Sequence, residues 1–190
     1  MEEAKAEFLN YRGTGMSVME MSHREKHFQN ILDESLADLR ELLELPSRYA
    51  VVYFPGGATL QFSAIPFNYL AAGESADFAV TGVWARKAHE EAKKFYPNVK
   101  SIFNGADSQY MELPTITDEI VSDGAKYVYI TSNNTIFGTR YKTFPKLKKA
   151  PLFVRHDKRN YLSRKLPIED FSVIFAGATK KTLGLLGSLL

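Results

Sequence analysis

The sequence predicts an α/β fold in which a mainly parallel sheet is flanked by helices. Segments with helical spacing of apolar residues alternate along the 190-residue chain with short segments of β-forming residues, and this alternation is typical of parallel sheets. Glycine or small polar residues follow one predicted strand after another. Because ligands of open parallel sheets bind at the carboxyl ends of the strands, a functional site is expected at these strand ends.

The first predicted elements are a long helix, a strand and a second helix. Apolar residues recur at helical spacing over residues 24–45, and a proline then ends this helix. Residues 49–54 are rich in β-forming side chains and lead into two glycines, which predicts a strand that enters a tight turn. Thr59 is expected to cap the helix predicted over residues 60–70, since its hydroxyl can accept a hydrogen bond from the first turn.

A second unit of strand, turn and helix follows, and further strands come after it. Residues 77–81 are predicted as a short strand, Gly82 as a turn, and residues 83–95 as a helix with Lys and Glu on its outer face. Later apolar or β-rich segments predict four more strands: residues 99–103, 127–131, 152–154 and 172–175.

Composition excludes several classes of function. The chain has no cysteine, which rules out disulfides, thiolate zinc sites and cysteine nucleophiles, and no metal site is predicted. Its net charge is +2, and the densest basic run, residues 146–159, is typical of a solvated loop, so no nucleic-acid partner is expected. The apolar runs are far shorter than the ~20 residues that cross a bilayer, so no membrane partner is expected.

The N-terminal residues favour a cytoplasmic location. Met1 is followed by mainly charged residues, without the apolar core of a secretory signal. A segment preceding Met1 could have carried an organellar transit peptide.

Two strand ends in the first half of the chain carry candidate binding groups. Gly56-Gly57 precedes a helix, whose unpaired first N–H groups favour an anion such as phosphate. Two glycines before a helix are, however, more often only a turn. Trp84 is the only tryptophan. Most single tryptophans are core residues, yet at a strand end the ring could stack on a flat heterocycle.

Two later segments carry further candidates. Residues 130–139 form a dense block of small polar side chains, which suits either the binding of hydroxyl, carboxylate or phosphate groups or a loop that caps itself. Lys180 lies just beyond an apolar strand and Gly177. A lysine held against a partly apolar wall can serve as a Schiff-base amine, although most lysines are surface residues.

These segments, taken in order, resemble the phosphoserine aminotransferase family. Five segments carry the resemblance: residues 11–24, 54–62, 81–88, 129–139 and 175–180. It is strong up to Pro151 and patchy beyond it. It implies that residues 1–190 are part of the pyridoxal-phosphate-binding large domain of a fold-type I aminotransferase. The family's N-terminal segment and small C-terminal domain are expected to be absent.

The resemblance implies a role for each matching residue. Lys180 would form the Schiff base with pyridoxal 5′-phosphate, and Trp84 would stack on the pyridine ring of this cofactor. Ala58 and Thr59 would hold the cofactor phosphate at the start of the helix. Thr135 would form a hydrogen bond near the ring or the phosphate.

The implied reaction is amino transfer between glutamate and 3-phosphohydroxypyruvate in serine biosynthesis, carried out by a homodimer. Arg24 would bind the anionic substrate, since a planar guanidinium suits a carboxylate. The alternative is a truncated, non-catalytic homologue that binds pyridoxal phosphate or a full-length partner.

Two segments depart from the family pattern. The family pairs an Asp at a strand end with the pyridine nitrogen. Here the interval is one residue longer, so counting from the left places Arg155 at that position, and counting from the right places His156 there. Asp157 is predicted as the partner because it is the only acid nearby and would share a strand face with Arg155. Thr179 replaces the family's glutamine in the cofactor site, and Lys181 is a rival for the Schiff base.

Overall fold

The computed structural model describes residues 5–155, 165–178 and 187–189. The chain divides into two compact units, Met1–Tyr49 and Ala50–Leu190. In the described part of the chain, none of the helices combines the length and the apolar character that a membrane span requires.

The first unit is helical. It contains two short 3-10 helices, Tyr11–Gly13 and Val18–Glu20, and helix α1, Lys26–Leu42. The second 3-10 helix begins with a capping box, in which Ser17 Oγ accepts a hydrogen bond from the Met19 N–H (3.2 Å) and the Glu20 carboxylate accepts one from the Ser17 N–H (2.9 Å). Helix α1 is shorter at both ends than the predicted range 24–45; at its start the backbone of Glu25 is extended, with ψ 145°.

The second unit is built on one sheet. Its described elements are the helices α2 (Gly57–Tyr69) and α3 (Val83–Phe95), a 3-10 turn (Ile168–Asp170) and the strands β1 (Tyr53–Phe54), β2 (Ser75–Val80), β3 (Lys100–Asn104), β4 (Ala125–Thr131), β5 (Leu152–Arg155), β6 (Val173–Ala178) and β7 (Gly187–Leu189). The strand order is β1-β7-β6-β5-β4-β2-β3. Strands β2 to β6 pair in parallel, whereas β7 pairs antiparallel with β6 and β1. The predicted mainly parallel sheet flanked by helices is confirmed.

The core of this unit lies on both faces of the sheet, because side chains alternate along each strand. On one face, Phe78, Tyr129 and Phe153 pack against helices α2 and α3. On the other face, Val128 and Ile130 are covered by side chains from segments without regular secondary structure. Burial on both faces is the reason that β4 and β5 are nearly continuous apolar runs in the sequence.

The structure differs from the sequence prediction around β1 and α2. Helix α2 begins at Gly57, after Gly56 with φ 87°, so Thr59 lies inside the first turn and the predicted Thr59 cap is wrong. Glycine adopts this left-handed conformation without strain, which lets the chain enter the helix early. Strand β1 is much shorter than the predicted range 49–54, because its described partner is the three-residue strand β7.

Candidate functional site

The parallel strands β4, β5 and β6 bring polar and charged residues together at their carboxyl ends. Thr131 and Arg155 are the last residues of β4 and β5, and they lie opposite each other in the ladder. Arg155 also lies opposite Phe175 of β6. Because parallel strands align their carboxyl ends, the loops that follow them share one edge of the sheet.

Helix α2 starts beside the end of β6. A Cβ atom on Gly177 would lie 3.3 Å from the amide nitrogen of Ala58, so the two segments are in close contact. Ala58 is half-buried, and Thr59 is exposed in the first turn. No described side chain forms a cap hydrogen bond at this helix start. The N–H groups of the first turn can therefore bind an anion.

Trp84 lies in the first turn of α3, directly after the turn that follows β2. Its ring is half-buried and packs against the core cluster that contains Phe78 and Phe153. The guanidinium carbon of Arg155 lies 5.1 Å from the centroid of this ring, and Lys87 Nζ lies 5.0 Å from it. Both distances are within the range of a cation–π interaction.

The loop after β4 is closed by its own hydrogen bonds. Asn134 Nδ2 donates to Thr139 Oγ1 (2.9 Å), the Asn134 N–H donates to the Thr139 carbonyl (2.7 Å), and the Gly138 N–H donates to the Asn134 carbonyl (2.8 Å). These bonds support the interpretation of residues 130–139 as a self-capped loop. Thr135 is exposed at its tip.

The same loop touches the turn between β2 and α3. A Cβ atom on Gly82 would lie 2.3 Å from Asn134 Oδ1, closer than any real contact. The φ of Gly82 is 174°, an extended conformation open to any residue, so this glycine is required by the close approach of Asn134. The segment before Trp84 and the loop that carries Thr135 are thus neighbours at the strand ends where the sequence predicts a functional site.

Replacing Gly82 with alanine is therefore expected to lower the free energy of unfolding by about 1–3 kcal/mol, the usual cost of overpacking a well-packed site. Urea unfolding followed by circular dichroism measures this loss. In the Asn134→Ala background the same substitution is expected to cost clearly less, because the obstructing amide is gone. An equal cost in both backgrounds would show that the clash is not with Asn134.

Several buried hydroxyl groups face the region where β2 and β4 end. Thr81 Oγ1 is buried and has no hydrogen-bond partner among the described residues. Tyr129 Oη and Thr131 Oγ1 are also buried, and the two side chains are neighbours. Burial raises the pKa of Tyr129 to about 12, although the positive charge of Arg155 opposes that rise. Tyr129 is therefore a neutral hydroxyl over the whole physiological range of pH.

The structure describes some of the predicted site residues and not others. Ala58, Thr59, Trp84 and Thr135 lie at strand ends or helix starts of the second unit. Arg24 is exposed and belongs to the first unit. Three predicted residues and their two rivals lie outside the described residues: Asp157, Thr179, Lys180, His156 and Lys181. No group of His, Asp and Glu suited to a metal ion occurs in the described parts of the chain.

The sequence did not predict two contacts at the carboxyl edge of the sheet: Asn134 with Gly82, and Arg155 with Trp84. The Asn134 amide was part of the polar block, but nothing in the sequence pointed to Gly82 as its neighbour. Arg155 was considered only as an alternative for the position of an acid, and its contact with Trp84 was not predicted. The signal that could have found this contact is the strand alternation, which places Arg155 on the same face as Phe153 and hence toward α3.

Comparison with known sequences identifies a family and named relatives. The aminotransferase class-V family pattern matches residues 1–187. The chain is 84% identical over 180 residues to the phosphoserine aminotransferase of Leptospira biflexa serovar Patoc, covering 95% of this chain and 49% of that protein. It is 42% identical to phosphoserine aminotransferase 2, chloroplastic, of Arabidopsis thaliana, covering 94% of this chain and 42% of that protein. The chain thus spans about half the length of these relatives.

Solved structures that are similar to this chain carry the same name as the sequence relatives. The phosphoserine aminotransferase from Bacillus circulans subsp. alkalophilus superimposes with a TM-score of 0.90 at 38% identity, covering 99% of this chain and 52% of that one. A pyridoxal-phosphate-bound phosphoserine aminotransferase from Trichomonas vaginalis superimposes with a TM-score of 0.85 at 36% identity, covering 99% and 55%.

Proposed function

The chain belongs to the class V aminotransferase family, and from this membership we propose that it forms the cofactor-binding half of a phosphoserine aminotransferase. The observation that carries the proposal is the 84% identity, over 95% of the chain, to the Leptospira biflexa enzyme of that name. The fold supports it, because the parallel sheet places the start of α2 and Trp84 at strand ends, where such a domain binds its cofactor.

The proposed reaction is amino transfer between glutamate and 3-phosphohydroxypyruvate, in the biosynthesis of serine, by a cytoplasmic homodimer. The proposed cofactor is pyridoxal 5′-phosphate, which when bound stabilises the negative charge that develops at the α-carbon of the amino acid. The protein binds and orients the cofactor and the substrate and supplies the charged groups around them. The proposal assigns residues 1–190 to part of the cofactor-binding large domain.

The phosphate end of this cofactor fits the described residues. The first turn of α2 has N–H groups that no described side chain caps, and Gly56 before the helix and Gly57 at its start carry no side chain that would cover the backbone. Gly177 leaves room beside Ala58 that a larger residue would reduce, since a Cβ there would lie 3.3 Å from the Ala58 nitrogen. The N–H groups of Ala58 and Thr59 are therefore the proposed donors to the phosphate.

The described residues fit the pyridine ring of this cofactor less well than its phosphate. Trp84 offers the flat indole on which a pyridine ring can stack, but the Arg155 guanidinium already lies 5.1 Å from the centre of that indole. A positive charge beside a pyridine disfavours protonation of its nitrogen. The described residues therefore supply the stacking surface together with a cation that already contacts it.

The remaining roles in the proposal come from the family resemblance. Lys180 attaches the cofactor, Thr135 and Thr179 contact it, and Asp157 faces its ring nitrogen. Arg24 binds the substrate carboxylate, which suits the planar, permanently charged guanidinium.

The proposal is tested by half-reactions of the purified chain saturated with pyridoxal phosphate. Phosphoserine is expected to convert the bound cofactor to its amine form, as followed by absorption spectroscopy and by release of 3-phosphohydroxypyruvate. Alanine and glycine serve as matched amino donors without a phosphate and are expected to react much more slowly. Preference for alanine or glycine over phosphoserine would contradict the assignment of the substrate while leaving membership of the family intact.

A further inference from the structure

We propose that Arg155 covers the face of Trp84 on which a flat cofactor ring would stack, so that its guanidinium acts as a tethered competitor of that ring. The inference rests on the proposed function, since it concerns the same cofactor site. It predicts that Arg155 weakens the binding of the cofactor to this chain, and that replacing Arg155 with a smaller residue raises the affinity.

The position of Arg155 in the sheet directs its side chain toward Trp84. Along β5, Leu152 and Val154 belong to the core cluster on one face of the sheet, and Phe153 belongs to the cluster on the other face. Residue 155 shares the face of Phe153 by strand alternation. Trp84 packs against that same cluster, and the Arg155 guanidinium carbon lies 5.1 Å from the indole centroid.

The chemistry of the guanidinium makes it an effective competitor. It is planar, permanently charged and weakly hydrated, and it stacks on aromatic faces, as a pyridine ring also does. Because Arg155 is attached to the end of β5, it is present at the indole at a high effective concentration. A cofactor ring has to displace it before stacking. The second cation near the ring, Lys87, is exposed, and its ammonium group is more strongly hydrated and sits on a flexible stem, so it is the weaker competitor.

The competition can be measured at Trp84 itself, because this residue is the only tryptophan in the chain. Quenching of its fluorescence by acrylamide, a neutral probe that needs no cofactor site, reports how much of the indole is open. We expect quenching to be more efficient in Arg155→Ala and Arg155→Gln than in the unaltered chain. The matched control is Arg86→Ala, which removes an exposed guanidinium that pairs with Glu90 (3.0 Å) on the outside of α3.

The second measurement uses pyridoxine 5′-phosphate, which lacks the aldehyde and cannot form a Schiff base with any lysine. Its dissociation constant is determined from the quenching of Trp84 and checked by calorimetry. We expect it to bind about tenfold more tightly to the Arg155 variants, since tenfold corresponds to about 1.4 kcal/mol, the size of a partly desolvated cation–π contact. Circular dichroism verifies that each variant is folded, and the glutamine variant retains a polar side chain at the strand end.

The outcomes separate this inference from the proposed function. Unchanged acrylamide quenching in both Arg155 variants would show that the guanidinium does not cover the indole. Equal dissociation constants in the unaltered chain and the variants would show that it does not compete. Acrylamide quenching could increase in the variants while none of them binds pyridoxine phosphate. That result would overturn both the competition and the proposed cofactor site.

Discussion

In a Lys180→Ala variant, the pyridoxyl label fixed by borohydride reduction is expected to be lost from the segment that follows β6, whereas a Lys181→Ala variant is expected to keep it. The family resemblance favours Lys180, because Ala176-Gly177-Ala178 fixes the count to that lysine, whereas the sequence after it departs from the family pattern. Strand β6 ends at Ala178 on the carboxyl edge of the sheet, and Gly177 touches the start of α2. The proposed attachment lysine follows this strand closely in the chain.

Mass mapping of the reduced peptides locates the label. The adjacent lysine is a matched control, because both variants remove one amino group from the same segment. Labelling with one equivalent of pyridoxal phosphate limits reaction with surface lysines. A label on Lys181 alone would reverse the assignment, and a label distributed over many lysines in the unaltered chain would contradict a specific attachment site.

Replacing Phe153 with alanine is expected to lower the free energy of unfolding by about 3–5 kcal/mol, the cost of removing a large side chain from a packed core. Phe153 is 1% exposed. Its ring stacks on Tyr127 with centroids 4.5 Å apart, and it meets Tyr69 edge-on at 4.6 Å. The substitution would leave a cavity between the sheet and helix α2, and aromatic contacts would be lost in addition.

Chemical unfolding measures this loss against Phe67→Ala, which removes the same ring from a site that is 53% exposed. The control is expected to cost about 1 kcal/mol or less, as exposed substitutions usually do, although Phe67 also contacts Phe95. If the two variants lost equal stability, the cluster between the sheet and the helices would not be the main core of this unit.

The elements with strong periodicity could be predicted from the sequence. Helix α3 has the predicted bounds, since its apolar positions repeat with helical spacing. Strands β4 and β5 were predicted because they are buried on both faces and therefore apolar throughout. Strand β7, Gly187–Leu189, was not predicted, because three residues carry no periodicity and its place is set by pairing with β6 and β1.

The candidate site was predicted in part, for a related reason. Gly56-Gly57 and Trp84 have local roles: the glycines form a turn into a helix, and the tryptophan places a flat ring at a strand end. Such local roles can be recognised in the sequence. The contacts of Asn134 with Gly82 and of Arg155 with Trp84 join segments that are distant along the chain. They depend on strand order and register, which hydrophobic patterning does not specify.

The antiparallel strand β7 has a consequence for how this protein is made. Tyr53 and Phe54 pair with Leu189 and Ser188, which lie far along the chain from them. During synthesis on the ribosome, β1 therefore emerges well before β7 and lacks this partner until residues 187–189 have been translated. Pairing between such distant segments is slow, and an unpaired strand can bind other chains in the meantime. Co-translational protection of β1 by a chaperone would thus matter more for the yield of folded protein than protection of the parallel strands.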